Sequence, residues 1–124
     1  MNIGGASLCL NVKNVKESFD FYMLLGFKVE EEHLDQNWAI ISHRGFVIGL
    51  FQECIEENLI NFRGGNIPAL KKWLEEKNIK IESIESINED GTGSFYIRDK
   101  DGNLIYMDTT LPELEDIVEP EDKK

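Results

Sequence analysis

Two stretches of this chain repeat one another at a fixed offset, and no other feature constrains the fold as much. Asn14-Val15 and Asn66-Ile67 each open an amphipathic run. Gly26-Phe27-Lys28-Val29 and Asn78-Ile79-Lys80-Ile81 each close one, at the same 52-residue spacing (14 to 66, 26 to 78). A capping asparagine, a residue able to take positive φ and a β-prone entry recur together. Their recurrence marks an internal duplication of a β-α-β-β-β unit. A lone unit would leave one sheet face bare, so two are needed to bury enough apolar surface.

Hydrophobic period assigns the elements within each unit. Residues 6–12 alternate, with Leu8, Leu10 and Val12 on one side and Ser7, Cys9 and Asn11 on the other. That is the pattern of a half-buried strand. Asn14 caps a helix, with Glu17 placed for a capping box. Val15, Phe19 and Tyr22 form its apolar stripe, flanked by Ser18 and Leu25, and Gly26 ends it. Strands over 27–33, 36–42 and 46–52 have connections short enough for an antiparallel meander. Gly49 interrupts the last of them, marking a bulge or clearing space for a ligand. After a polar connector at 53–58 the order restarts with a strand over 59–63. A second helix is capped by Asn66, with Pro68 in its first turn and a stripe of Ile67, Leu70, Trp73 and Leu74. A strand over 79–87 and a hairpin complete the unit. The hairpin's apolar runs, 95–97 and 104–107, flank the polar turn 98–103, and the second has the residues of a central strand. Residues 111–124 are an acidic tail with Pro112 and Pro120, either a short helical stretch over 113–118 or solvated chain.

A chain of 124 residues is expected to form one domain, here module 1 (about 5–53), module 2 (about 58–110) and the tail. The net charge of −11 repels phosphate, so nucleic acid and anionic membranes are not expected partners. No apolar run approaches the roughly 18 residues of a membrane span. Residues 1–5 lack a basic stretch leading into an apolar one, so no secretion signal is read. Cys9 and Cys54 have no metal-type spacing and read as reduced structural thiols, which makes a cytoplasmic protein the expectation.

The paired units, the helix Phe21-Tyr22 with Leu25-Gly26-Phe27, and the turn Arg98-Asp99-Lys100-Asp101-Gly102-Asn103 before Leu104-Ile105-Tyr106-Met107 together resemble the vicinal-oxygen-chelate superfamily. That group includes glyoxalase I, the extradiol dioxygenases and the bleomycin-resistance proteins. The resemblance spans about residues 5 to 110. It implies an α+β fold of two tandem βαβββ modules forming a curled mixed sheet, glyoxalase/bleomycin-resistance/dihydroxybiphenyl-dioxygenase-like. For the superfamily's enzymes it implies a divalent metal inside the sheet, held by His, Glu or Gln. Those ligand positions fall on Ser7, Gly49, Leu59 and Tyr106, or, two residues along, on Cys9, Phe51, Asn61 and Asp108. Neither set holds a histidine, whereas such metals want imidazole, carboxylate or thiolate. No metal and no cofactor is therefore expected. His33 and His43 fall at a strand end and a turn and read as solvated imidazoles.

What remains is a small-molecule pocket face. Its expected residues are Ser7, Cys9, Asn11, Trp38, Gly49, Phe51, Asn61, Tyr96, Tyr106 and Asp108, a mixture of aromatic faces and a few hydrogen-bonding groups. The side of the sheet on which Trp38 lies is left open by its strand's pattern. The expected function is metal-free small-molecule binding of the glyoxalase/bleomycin-resistance type, sequestering a toxic or cationic compound, with no catalytic residue. The alternative is an enzyme of the superfamily, a lyase, isomerase or dioxygenase. It would use a displaced metal site, or acid/base chemistry from Asp108 and the Tyr106 hydroxyl. Cys9 has no activating base beside it in phase. A third reading is an interaction module whose pocket is filled by Phe51, Leu59, Tyr96 and Tyr106. The resemblance also implies a homodimer.

Overall fold

The computed structural model describes residues 1–110, and the acidic tail at 111–124 lies outside them. Eight strands and two helices follow in the order β1 Gly4–Asn11, α1 Val15–Leu24, β2 Lys28–His33, β3 Trp38–His43, β4 Phe46–Phe51, β5 Leu59–Gly64, α2 Ile67–Glu76, β6 Ser83–Ile87, β7 Gly93–Arg98 and β8 Leu104–Thr109. The βαβββ order thus occurs twice in an α+β chain. Two compact units result: a leading unit, Ser7–Leu59, and a trailing unit, Met1–Ala6 together with the chain from Ile60 onward. No helix among the described residues is long and apolar enough to cross a membrane.

In the leading unit, α1 begins where the sequence places it. The Glu17 backbone N–H donates to Asn14 Oδ1 at 3.0 Å, satisfying one of the free amides of the first turn. Gly26, at φ +100°, ends the helix in a region that L side chains avoid. Val15 and Phe19 are buried on Ala39, Ile41, Ile48 and Leu50, with Leu8 and Leu10 of β1 packed beside them. The stripe is narrower than the sequence reading, because Leu25 faces solvent with Leu24. Strand order is β2-β3-β4-β1, antiparallel through β4, with β1 parallel to β4. Arg44 (φ 49°) and Gly45 (φ 86°) close the β3–β4 hairpin as a two-residue turn with both φ positive.

The trailing unit repeats these devices. The Ala69 N–H donates to Asn66 Oδ1 at 3.1 Å, and Asn78 (φ 61°) stands where Gly26 stands in the first repeat. Ile67, Leu70 and Leu74 are buried on Phe95, Ile97 and Met107, while Trp73 packs at the edge of that core under Lys77. Strand order is β5-β8-β7-β6, which makes β8 central, as its composition implies. Asp99 organises the β7–β8 turn. Its carboxylate accepts from the backbone N–H groups of Asp101 and Asn103 and from Asn103 Nδ2. One expectation needs correction: the strand over 79–87 is only Ser83–Ile87. The Ile79 N–H is spent closing α2, donating to the Leu74 carbonyl at 2.9 Å, so the segment after the helix is not free to join the ladder at once.

In each unit the helix covers one face of the sheet. Period two then sends the alternate side chains of every strand to the uncovered face.

Candidate functional site

The uncovered face of the leading unit carries six of the expected site residues. Cys9 pairs in register with Gly49 and Asn11 with Phe51 on adjacent strands, and Trp38 pairs with Phe51. Ser7 precedes Cys9 in the same phase. Trp38 lies on this face, because Ala39 and Ile41 are buried in the opposite, helix-facing core. Its ring stacks on Phe51 (6.2 Å, 12° between planes) and on His33 (4.3 Å, 26°). His33, read from sequence as a solvated imidazole, stays partly exposed but rests one ring face on its cross-strand neighbour Trp38. Ladder pairing runs through Gly49 without a bulge. A Cβ added there would lie 2.5 Å from Phe51 Cε2, so the space over Gly49 belongs to the Phe51 ring. Asn11 serves the connector: its N–H donates to Asn58 Oδ1 and its Nδ2 to the Glu56 carbonyl. A carboxylate missed from sequence, Glu30, accepts from the Ser42 hydroxyl on this side. That bond, and then Lys28, hold its pKa below the ordinary value.

The trailing unit carries the other four expected residues, Asn61, Tyr96, Tyr106 and Asp108, on one polar face. Asn61 Nδ2 donates to Asp108 Oδ1 at 2.8 Å and to the Tyr106 carbonyl at 3.0 Å. Arg63 approaches the other oxygen of Asp108 at 3.3 Å. Both oxygens of this nearly buried carboxylate thus have protein partners. Tyr96 and Tyr106 face each other across the β7–β8 pair with ring centroids 4.5 Å apart. Tyr106 OH donates to Glu85 Oε1 at 2.9 Å, and Ser94 Oγ donates to the same oxygen at 2.8 Å. Burial above all pushes the Tyr106 hydroxyl far above the ordinary phenol range; Ser94 pulls against it, and the hydrogen bond to Glu85 and the negative charges of Asp108 and Glu85 add smaller upward pushes. Tyr106 is therefore a neutral phenol with its proton committed to a carboxylate.

Glu85 and Ser94 were not among the expected residues. The sequence reading phased the sixth strand on Ile79, Ile81 and Ile87, and a register shift between Ile84 and Ser86 is what brings Glu85 over β7. An open cleft of about 410 Å³ lies beside this cluster. It is lined by Ser86, Asn88, Asp90, Thr92, Gly93, Ser94, Tyr106, Asp108, Thr109 and Thr110. Among the described residues the lining is rich in hydroxyls and carries two carboxylates and no cation. The first, Asp90, already accepts from the Thr92 N–H and hydroxyl, which hold its pKa down.

A divalent metal fits neither implied ligand set. Gly49 and Leu59 offer no side-chain donor, and the Tyr106 hydroxyl stays protonated, donating its hydrogen bond to Glu85. In the second set Asp108 is the one carboxylate and is already engaged. Among the described residues no three His, Cys, Asp or Glu side chains converge to hold an ion.

No protein-family model matches the sequence, and no curated protein is significantly similar to it. Solved structures are similar in fold. A glyoxalase/bleomycin resistance protein/dioxygenase superfamily member from Vibrio splendidus matches with a TM-score of 0.64 and 18% identity, over 85% of this chain and 97% of that one. A Legionella pneumophila protein described as an NAD-dependent benzaldehyde dehydrogenase gives 0.68 and 21%, over 84% and 97%. Methylmalonyl-CoA epimerase of Streptomyces coelicolor gives 0.55 and 16%, over 90% and 98%. At these identities the likeness is one of fold, and proteins of one fold carry many chemistries.

Proposed function

For a chain with the fold of the glyoxalase/bleomycin resistance/dioxygenase superfamily, we propose metal-free binding of a small neutral or cationic compound at the cleft of the trailing unit. The observation that carries the reading is the Glu85–Ser94–Tyr106 cluster. Both hydroxyl protons point into Glu85 Oε1, so the hydroxyl oxygens and the second carboxylate oxygen are left as acceptors. A ligand matching this surface brings N–H or O–H donors, and a positive charge strengthens the match. Anionic ligands meet carboxylates, with no cation lining the cleft among the described residues. Sequestration of a toxic cation in the cytoplasm is the biological form of this proposal.

The enzyme alternative draws on the same Tyr106–Glu85 pair, a phenol hydrogen-bonded to a carboxylate. Its weakness is that burial makes the Tyr106 phenol a poor acid that keeps its proton, while Asp108 is occupied by Asn61 and Arg63.

The test is calorimetry and thermal shift with a panel of bleomycin-type glycopeptides, aromatic amines and their uncharged analogues. Saturating ligand should raise the melting temperature by mass action. Glu85→Gln should weaken a cationic ligand about tenfold or more, the worth of a charge-assisted hydrogen bond. Silence across the panel, or a ligand whose affinity ignores Glu85→Gln and Tyr106→Phe alike, would sink the proposal.

A further inference from the structure

The duplication gives each helix an internal control. At the 52-residue offset, Leu24 and Leu25 at the end of α1 stand where Glu76 and Lys77 stand at the end of α2. Phe21 stands where Trp73 stands. In the trailing unit those positions are charged, and Lys77 Nζ lies 4.9 Å from the centre of the Trp73 ring. In the leading unit the same positions are bare: Leu24, Leu25 and Phe21 are 87%, 59% and 56% exposed. The first residues of β4 and β8 repeat the contrast, since Leu104 is buried and Phe46 is 52% exposed. The fold therefore closes without apolar residues at the end of the helix, and their presence on α1 is not a packing requirement.

These side chains form one patch. Phe21, Leu24 and Leu25 fall at i, i+3 and i+4, on one side of the helix. Ring contacts run from Phe21 to Tyr22 (5.3 Å), Phe27 (5.2 Å) and His43 (5.7 Å), and His43 pairs in register with Phe46. A single exposed apolar residue is ordinary, but several gathered together mark a binding surface. Arg44, at the hairpin tip between His43 and Phe46, is exposed and makes no ion pair among the described residues. The other charges near the end of α1 are engaged: Lys16 holds Asp20 at 2.7 Å, and Lys28 lies 3.6 Å from Glu30, which faces Ser42 on the far side of the sheet. The patch thus has an apolar floor and one available cation, beyond the C-terminal end of α1. A full-length antiparallel copy of α1 would set Leu24 and Leu25 against Ser18 and Glu17, so a second copy matches the stripe poorly. The net charge of −11 opposes an anionic lipid surface.

We propose that this patch docks an amphipathic helix of another protein, laid antiparallel on the exposed side of α1, with its apolar stripe on Phe21, Leu24, Leu25 and Phe46 and an acidic first turn beside Arg44. Carboxylates are favoured in the first turn of a helix by its own dipole, and the antiparallel arrangement brings that turn to the arginine. Recognition of this kind reads apolar anchors at i, i+3, i+4 and i+7. The contact is small, so the complex is transient. It is independent of what the cleft binds.

Chemical-shift titration of the labelled full chain tests this. The probe is a synthetic helix with leucines at i, i+3, i+4 and i+7 and glutamates in its first turn. Perturbations should concentrate on 21–25 and 44–46. Leu24→Glu with Leu25→Lys, which installs the residues of the trailing unit, should abolish them. Arg44→Glu should weaken the probe about tenfold, because an attraction becomes a repulsion. A probe with lysines in its first turn should regain that affinity for Arg44→Glu. Arg44 is exposed on a turn, so this exchange keeps the test valid even if the leucine variant fails to fold. Absence of perturbation at millimolar probe overturns the proposal, as does a lysine probe that fails to rescue Arg44→Glu. Broadening of 21–25 with protein concentration alone also overturns it, because a second copy then covers the patch. So does binding to phosphatidylserine vesicles that the leucine variant loses, because the patch then meets a membrane.

Discussion

At Gly49 and Phe51 a single hydrogen atom decides the packing of a sheet face. Gly49 has ordinary strand geometry and sits in an unbroken ladder, so its glycine identity is not explained by backbone conformation. Its missing Cβ is where the Phe51 ring lies, with Cζ at 3.1 Å and Ile40 Cδ1 at 3.3 Å from the built position. Gly49→Ala should therefore cost about 1–3 kcal/mol through overpacking, read as a lower midpoint in urea unfolding. Phe51→Leu in the Gly49→Ala background should recover part of the loss. Additive effects of the two substitutions would show that the ring does not fill that space. From sequence this glycine reads as a bulge or a ligand clearance, because a position's cross-strand and same-face neighbours are invisible until the register is known.

Among the elements, the β7–β8 hairpin depends on one aspartate. Asn103, first through its side chain and then through its backbone N–H, holds the Asp99 carboxyl below its ordinary value of 3.8. The folded value is the lower one, so the ionised form is favoured by folding. Its contribution is complete above the ordinary value and disappears as pH falls through the folded one. Asp99→Asn should lower the melting temperature at neutral pH, and its gap from the parent should close below about pH 4. A gap that persists at pH 2 would mean that shape rather than charge holds the turn. Most of this element was legible beforehand, since a polar turn with Gly102 between two β-prone runs is a local signal. The sixth strand was not, because α2 consumes its first N–H and a bulge shifts its phase.

For the whole molecule, the metal-free reading makes a prediction independent of any ligand. Dialysis against a chelator, followed by addition of Zn²⁺, Ni²⁺ or Fe²⁺ in slight excess, should leave the melting temperature where it was. A tight structural ion would instead stabilise by a few kcal/mol, about 2.7 at a hundredfold excess over its Kd. Stoichiometric metal in protein purified without chelator would contradict the proposal directly. The fold itself is indifferent to the outcome, since each unit buries its own apolar core beneath its own helix.

Sequence alone established the tandem βαβββ order, both helix caps at Asn14 and Asn66, and the matched positive-φ positions at 26 and 78. These are set by interactions within a few residues, so residue type and spacing carry them. It also named Tyr106 and Asp108, which the structure puts beside one cleft. Tertiary structure alone decided that Asp108 is engaged by Asn61 and Arg63, that Glu85 accepts the Tyr106 hydrogen bond, and that Phe51 lies over Gly49. Each of these depends on which residues of separate strands stand opposite one another. Local periodicity is blind to that, and a shift of one residue in register reverses the answer.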